Sequence, residues 1–234
     1  MPRVLSFHNN VQFNLALTVL KNFMSPTQPA PKKKLTQSAK SVQKREAIVR
    51  AAIEVINAKS FALATMKDIA ASLDLRDATL YHYFPDKQTL AYACHQYSFD
   101  RYERIFDIVN STKGTGGEKL KRFIRKMFND AAFNGPQLYL GDFSYLTAAQ
   151  RKFVSVRSVQ LMSVLTGFIR EGIADASIKP CEPEVVVQLM LGMLIWLGKW
   201  VPTIPDMTVD RLMEAVDVFS FRGLEASVSV GSNA

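Results

Sequence analysis

The chain has 234 residues, 48% of them hydrophobic and 21% charged, an ordinary globular balance with material for one large domain or two modest ones. Cys94 and Cys181 stand far apart; with no C-x-x-C pair or His/Cys cluster they read as reduced thiols, and no metal or cofactor is expected. No stretch has the length of a membrane span, since the most apolar one, Val185–Trp200, is interrupted by Gln188, Gly192, Gly198 and Lys199.

The net charge of +8 is localised. Arg3, Lys21, Lys32, Lys33, Lys34, Lys40, Lys44 and Arg45 lie in the first 45 residues without a single acid, so the remainder is neutral. Such an arm favours polyanions, nucleic acid first and an anionic membrane surface second. Pro26, Pro29 and Pro31 make residues 25–34 extended. Residues 1–41 are therefore expected to be a flexible basic extension. Within it, Met24 offers an alternative first residue.

A first helix begins at Val42. Ile48, Ala52, Val55 and Ile56 recur at helical spacing, and it ends near Lys59-Ser60. Thr65-Met66-Lys67-Asp68 has the form of a capping box, with Asp for the usual Glu, opening a short second helix whose apolar face is Ile69, Ala70 and Leu73. Asp74 is the turn residue, because Asp tolerates the left-handed conformation. A third short helix covers about Asp77–Tyr83. Phe84-Pro85-Asp86 ends it, and Asp86 caps a fourth that runs to about Val109. Two short helices joined by a tight turn after a longer one is the layout of a helix-turn-helix.

Beyond the linker Ser111–Gly117, Leu120, Phe123, Ile124, Met127 and Phe128 mark a fifth helix, broken by Gly135-Pro136. A short helical region follows at about 137–148, then a long helix from Ala149 to Ala174. The next helix covers Glu184–Trp200, with Pro183 in its first turn, and a last one covers Thr208–Ala226. No strand is expected.

The run from Thr65 to Leu90, with Ile69-Ala70, Thr79-Leu80-Tyr81-His82-Tyr83-Phe84, Lys87 and Leu90 at these offsets, resembles the DNA-binding domain of the TetR family over about residues 42–95. The physical reading agrees. Leu73, Leu75, Leu80, Phe84 and Leu90 can pack a small core. Thr79, Tyr81, His82 and Tyr83 lie on or near a helix whose N-terminus can enter a major groove, offering phosphate and base contacts. Lys87 can join the amides of the next helix at a phosphate. The resemblance implies backbone contact at Thr65, base and phosphate reading over Arg76–Tyr83, and a phosphate at Lys87. The run departs from the family pattern at Asp74, Arg76, Asp77 and Ala78, which leaves the operator sequence open. Tyr81 and Tyr83 cannot both face the core beside Leu80 and Phe84, and His82 reads equally well as a plain surface residue.

The fold class expected is thus all-α. A helix-turn-helix domain at 42–92 precedes a helical effector-binding and dimerisation domain at 93–226 and a disordered tail at 227–234. The resemblance implies a homodimer held through the helices at 149–174 and 184–200. The interface residues expected are Val154, Leu161, Leu165 and Phe168 on the first, and Leu189, Met193, Trp196 and Trp200 on the second. Gly167, Gly172, Gly192 and Gly198 would permit close approach. Effector-pocket candidates are Phe99, Tyr102, Phe106, Phe123, Met127, Phe128, Tyr139, Phe143, Tyr145 and Met162. A Phe/Met stripe at helical spacing is equally what a plain core looks like. Such a pocket suits an apolar or aromatic ligand.

The expected function is a cytoplasmic, ligand-responsive transcriptional regulator that binds double-stranded operator DNA, a repressor and not an enzyme. A helical enzyme finds no nucleophile elbow, phosphate loop or H-E-x-x-H, and only His8, His82 and His95 as histidines. A membrane-surface protein anchored by residues 11–45 is the remaining alternative.

Overall fold

The structure is a computed structural model, and it describes residues 37–138 and 143–222. These form eight α-helices: α1 (Gln37–Lys59), α2 (Met66–Ala71), α3 (Asp77–Tyr83), α4 (Lys87–Asn110), α5 (Gly116–Asn134), α6 (Ala148–Ala174), α7 (Pro183–Trp200) and α8 (Val209–Val216). A 3-10 turn (Val201–Thr203) follows α7 and a π-helical turn (Asp217–Arg222) follows α8. Among the described residues there is no strand, and no helix is long and apolar enough to cross a membrane.

The capping chemistry behaves as the sequence predicts. Thr65 closes a full capping box with Asp68, its hydroxyl accepting from the Asp68 amide at 3.0 Å while the Asp68 carboxylate accepts from the Thr65 amide at 3.0 Å. Asp86 caps α4 through the Thr89 amide. Thr115 and Thr147 repeat the box with Glu118 and Gln150. Asp74 takes φ 54°, the left-handed turn between α2 and α3.

Three expectations change. Helix α1 starts at Gln37 rather than Val42, so Lys40 joins Lys44 and Arg45 on the helix; residues 1–36 lie outside the described residues. The described parts of 137–148, namely 137–138 and 143–147, are not helical. The last helix ends at Val216 and passes into the π turn; residues 223–226 lie outside the described residues.

Two cores result. One gathers Ile48, Ala52, Ile53 and Ile56 of α1, Ile69 and Ala70 of α2, Leu80 of α3, Phe84, and Leu90, Ala91 and Cys94 of α4. The other joins Ile105, Phe106 and Val109 of α4 to Phe123, Ile124, Met127 and Phe128 of α5, Leu161, Leu165 and Phe168 of α6, Met190 and Leu194 of α7, and Leu212 and Val216 of α8. Helix α4 runs unbroken through residue 92, its first half in one core and its second half in the other.

Close approach of α5 and α6 requires glycine. A Cβ on Gly116 would fall 2.1 Å from the Gly172 nitrogen. The Gly116 amide donates instead to Asp175 at 2.7 Å.

Candidate nucleic-acid interface

Helix α3 is two turns long, and its sequence divides into faces four residues apart. Leu80 points inward at 0% exposure, with Phe84 behind it. Asp77, Ala78, Tyr81 and His82 share the outward face, and Arg76 stands exposed at its N-cap without a capping bond. Thr79 and Tyr83 flank these faces, half-buried; Tyr83 packs on the core while Tyr81 is 50% exposed. The choice between the two tyrosines is thereby made. A small domain holds a polar, aromatic ridge of Arg76, Tyr81 and His82 clear of its own packing, where donors and planar faces can meet a groove.

Thr65 is exposed, but its hydroxyl also donates to Asp68 at 2.8 Å. Hydrogen bonds from Lys59, at 2.9 Å, and from Thr65 hold the Asp68 carboxyl below its ordinary range. Thr65 thus orients α2 first, and only its remaining lone pair and its amide neighbours are left for a phosphate.

Lys87 has partners within the protein that its sequence neighbourhood does not announce. Its ammonium donates to the Phe61 carbonyl at 2.8 Å and to the Ala64 carbonyl at 2.9 Å, and lies 4.3 Å over the Phe61 ring. The backbone after α1 leaves these carbonyls outside a helix ladder, and the lysine reaches back across 23 and 26 residues to satisfy them. Two of its three donors are thereby used within the protein.

The effector-pocket candidates separate into two groups. Phe106, Phe123, Met127 and Phe128 belong to the main core of the second unit, with Phe106 and Phe123 stacked at 4.8 Å. Tyr102 and Met162 pack half-buried against it. Phe99, Phe143 and Tyr145 form a side cluster with Leu146 and Val154. Tyr139 lies outside the described residues. An apolar cavity lined by Leu120, Phe123, Ile124, Leu165, Val187, Met190 and Leu194 measures only about 10 Å³, about enough for one water-sized sphere. A larger open groove of about 520 Å³ lies between α5 and the C-terminal turn, lined by Lys121, Arg122, Arg125, Asp210, Glu214, Asp217 and Arg222. Its cations are largely paired off, Lys121 with Asp217 at 2.5 Å, Arg125 with Asp210 at 2.6 Å and Arg222 with Asp217 at 2.7 Å.

The expected interface also divides. Val154, Leu161, Leu165 and Phe168 are all buried within the chain, between 0% and 6% exposed. Their spacing reflects the packing of α6 on its own neighbours, so they have no surface to present to a partner. On α7, Leu189 is 70% exposed and Trp196 57%, while Met193 and Trp200 are half-buried. Of the expected glycines, Gly172 packs inside the chain, whereas Gly167 and Gly192 face open space.

One feature escaped the sequence reading. Arg101 is 1% exposed and reaches the Asp130 carboxylate at 2.6–2.7 Å and the carbonyls of Gly135 at 2.7 Å and Pro136 at 3.2 Å. Its signal was present: it continues the inward stripe Cys94, Ser98, Ile105 of α4, a position where a cation must be partnered. His95 is fully buried, its Nε2 3.0 Å from the Tyr145 hydroxyl and its Nδ1 without a partner among the described residues. Burial pushes its imidazole down to about 4.

Comparison with known proteins agrees with this geometry. Residues 48–94 match the model of bacterial regulatory proteins of the tetR family, and residues 113–224 match a tetracyclin repressor-like C-terminal domain. An HTH-type transcriptional regulator of Bacillus subtilis (strain 168), YhgD, is 20% identical over 201 residues, covering 80% of this chain and all of that protein. Among solved structures, AibR in complex with isovaleryl coenzyme A and operator DNA is 23% identical with a TM-score of 0.63, covering 76% of this chain and 98% of that one. FadR from Bacillus subtilis in complex with stearoyl-CoA has the same identity and coverage and a TM-score of 0.56. The two family matches together span more than half of the sequence: the chain belongs to the TetR family of transcriptional regulators.

Proposed function

We propose that this protein is a cytoplasmic homodimeric repressor that binds a specific DNA operator and is released from it by a largely apolar ligand, with an acyl-CoA thioester as the leading chemical class. The observation that carries the DNA reading is the outward ridge of α3, where Arg76, Tyr81 and His82 are exposed while Leu80 and Phe84 are turned inward. Arg76 supplies the bidentate donor suited to guanine or phosphate, and Tyr81 and His82 supply polar tips beside it.

The dimer reading rests on α7. Val185, Leu189, Gly192 and Trp196 make one exposed stripe, and Val218 and Phe219 of the π turn are exposed as well. Spacings of four, three and four residues suit a helix–helix seam, and the open Gly192 allows close approach there. A two-fold dimer places two α3 helices on half-sites about one or more helical turns apart.

The ligand class rests on two facts. Two proteins of similar fold are described with acyl-CoA thioesters bound, and the second unit's core here is rich in Phe, Met and Leu around a small apolar cavity. An acyl chain would open that cavity by displacing side chains. The regulator reading is tested by fluorescence anisotropy on DNA upstream of the protein's own gene, with excess unrelated competitor, before and after adding isovaleryl-CoA or stearoyl-CoA. Specific binding that either thioester reverses is the expected result. Binding removed by competitor at this DNA and at sites selected from random DNA overturns it.

A further inference from the structure

We propose that Tyr145, on the loop leading into α6, is the positioning residue by which the effector-side core holds the DNA-reading unit, its grip being the stack of its ring on Phe61. This inference rests on the regulator reading above. Helix α4 alone would join the two units as one rod, free to bend or roll. The structure adds a second connection that does not pass through α4.

That connection can be followed atom by atom. The Tyr145 ring lies parallel to Phe61, with centroids 3.6 Å apart and planes 10° apart. Phe61 sits in the link between α1 and α2. The same Phe61 ring carries the Lys87 ammonium, which also binds the Phe61 and Ala64 carbonyls immediately before the Thr65 cap of α2. The Tyr145 carbonyl accepts from the Gln88 side chain at the start of α4. Tyr145 therefore touches the frame on which α2 and α3 are hung.

Its other contacts belong to the effector side. Phe143 and Leu146, two and one residues away, pack with Phe99 of α4 and with Phe153 and Val154 of α6. Arg151 of α6 donates to the Leu146 carbonyl at 2.5 Å. The Tyr145 hydroxyl meets the fully buried His95. Any displacement of Phe143 or Leu146 from α6 moves this loop, and with it the Tyr145 ring on Phe61. A stacked pair is directional, so a shift of an ångström or two forfeits most of its interaction.

A second contact between the same units strengthens the case. Leu138, after α5, is buried in the core of the DNA-reading unit, its amide held by Ser98 at 2.9 Å, and Asn57 of α1 donates to the Gln137 carbonyl at 2.8 Å. Asn57 ties the Gln137–Leu138 segment to α1, whereas Tyr145 reaches the α1–α2 link.

The test is hydrogen exchange of the full chain without DNA, comparing wild type, Tyr145→Ala and Tyr145→Phe. Tyr145→Ala should speed exchange over α2 and α3 by roughly three- to tenfold, the worth of one aromatic stack. Peptides of α5 and the second half of α6 should stay unchanged. Tyr145→Phe keeps the ring and loses only the hydroxyl, and should restore wild-type exchange in α2 and α3. Unchanged α2 and α3 in Tyr145→Ala overturns the proposal. So does acceleration spread equally through α5 and α6, which would mean general loss of stability, and so does a Tyr145→Phe variant as fast as Tyr145→Ala. None of these readings needs DNA, so a failure to find an operator would count against the regulator function and not against this one.

Discussion

Lys87→Met separates two roles that one lysine could play. In the structure its ammonium binds two carbonyls that no other described donor reaches and rests over Phe61. Hydrogen bonds from a charged group contribute roughly 1.5–3 kcal/mol each when buried, and this side chain is half-buried, so the lower end applies, about 2–3 kcal/mol for the pair. Methionine keeps the length and apolar stem and removes only the donors. At roughly 2–4 °C per kcal/mol for a chain of this size, the melting temperature should fall by about 4–12 °C without any DNA present. A lysine that served only to hold a phosphate would behave otherwise. Its loss would leave the melting temperature unchanged and lower the slope of log K against log salt by about one contact. Differential scanning calorimetry and anisotropy at three salt concentrations decide between them. An unchanged melting temperature with a reduced salt slope would refute the clamp.

Arg101→Leu strips a buried arginine from Asp130 and leaves the Gly135 and Pro136 carbonyls unpaired; urea titration should show a loss of roughly 3–5 kcal/mol, and a loss under 1 kcal/mol would mean that the pair is not what holds the α5 terminus to α4. Phe123 is 1% exposed and stacked on Phe106, so Phe123→Arg should yield no folded protein and cannot serve as a ligand-blind variant, as circular dichroism would show. His95 is held neutral by burial, with its pKa pushed from 6.5 to about 4. The unfolded chain therefore binds the extra proton first, and stability is full above pH 6.5 and declines as pH falls toward 4. Wild type should lose about 2 kcal/mol more than His95→Gln between pH 7.5 and pH 5, and equal losses would place the titration elsewhere. Leu189→Glu with Trp196→Glu should give monomers in sedimentation velocity, whereas Val156→Glu on α6 should not; a dimer that survives the first pair would move the interface off α7.

What could be read from the sequence follows the range of the forces involved. The DNA-reading unit was legible almost residue by residue, because its signals are local. Thr65 to Asp68 is a three-residue bond, Asp74 is a single left-handed residue, and Leu80 with Phe84 is one helical turn. The carbonyl contacts of Lys87 were not legible because the partners lie 23 and 26 residues back, and nothing in its neighbourhood announces two unsatisfied carbonyls. The start of α1 was placed five residues late for a related reason. Residues 37–41 carry no apolar periodicity, and their helix simply extends outward from a buried one.

The interface shows the same boundary from another side. Apolar spacing along α6 said truthfully that Val154, Leu161, Leu165 and Phe168 are covered, but periodicity cannot say by what. Helices α4, α5 and α7 cover them, and the large apolar residues that α6 leaves exposed are Val156 and Val159. Helix α7 carries more apolar surface than one buried stripe can absorb, and the excess reappears as exposed Val185, Leu189 and Trp196. The informative quantity is therefore what remains uncovered once the chain has packed on itself. By that measure, of the two helices expected at the interface, α7 with the C-terminal turn carries the surface proposed to face a partner. Helix α6 meanwhile offers Phe153 and Val154 as the surface against which Phe143 and Leu146 rest, which ties the loop that carries Tyr145 to that helix.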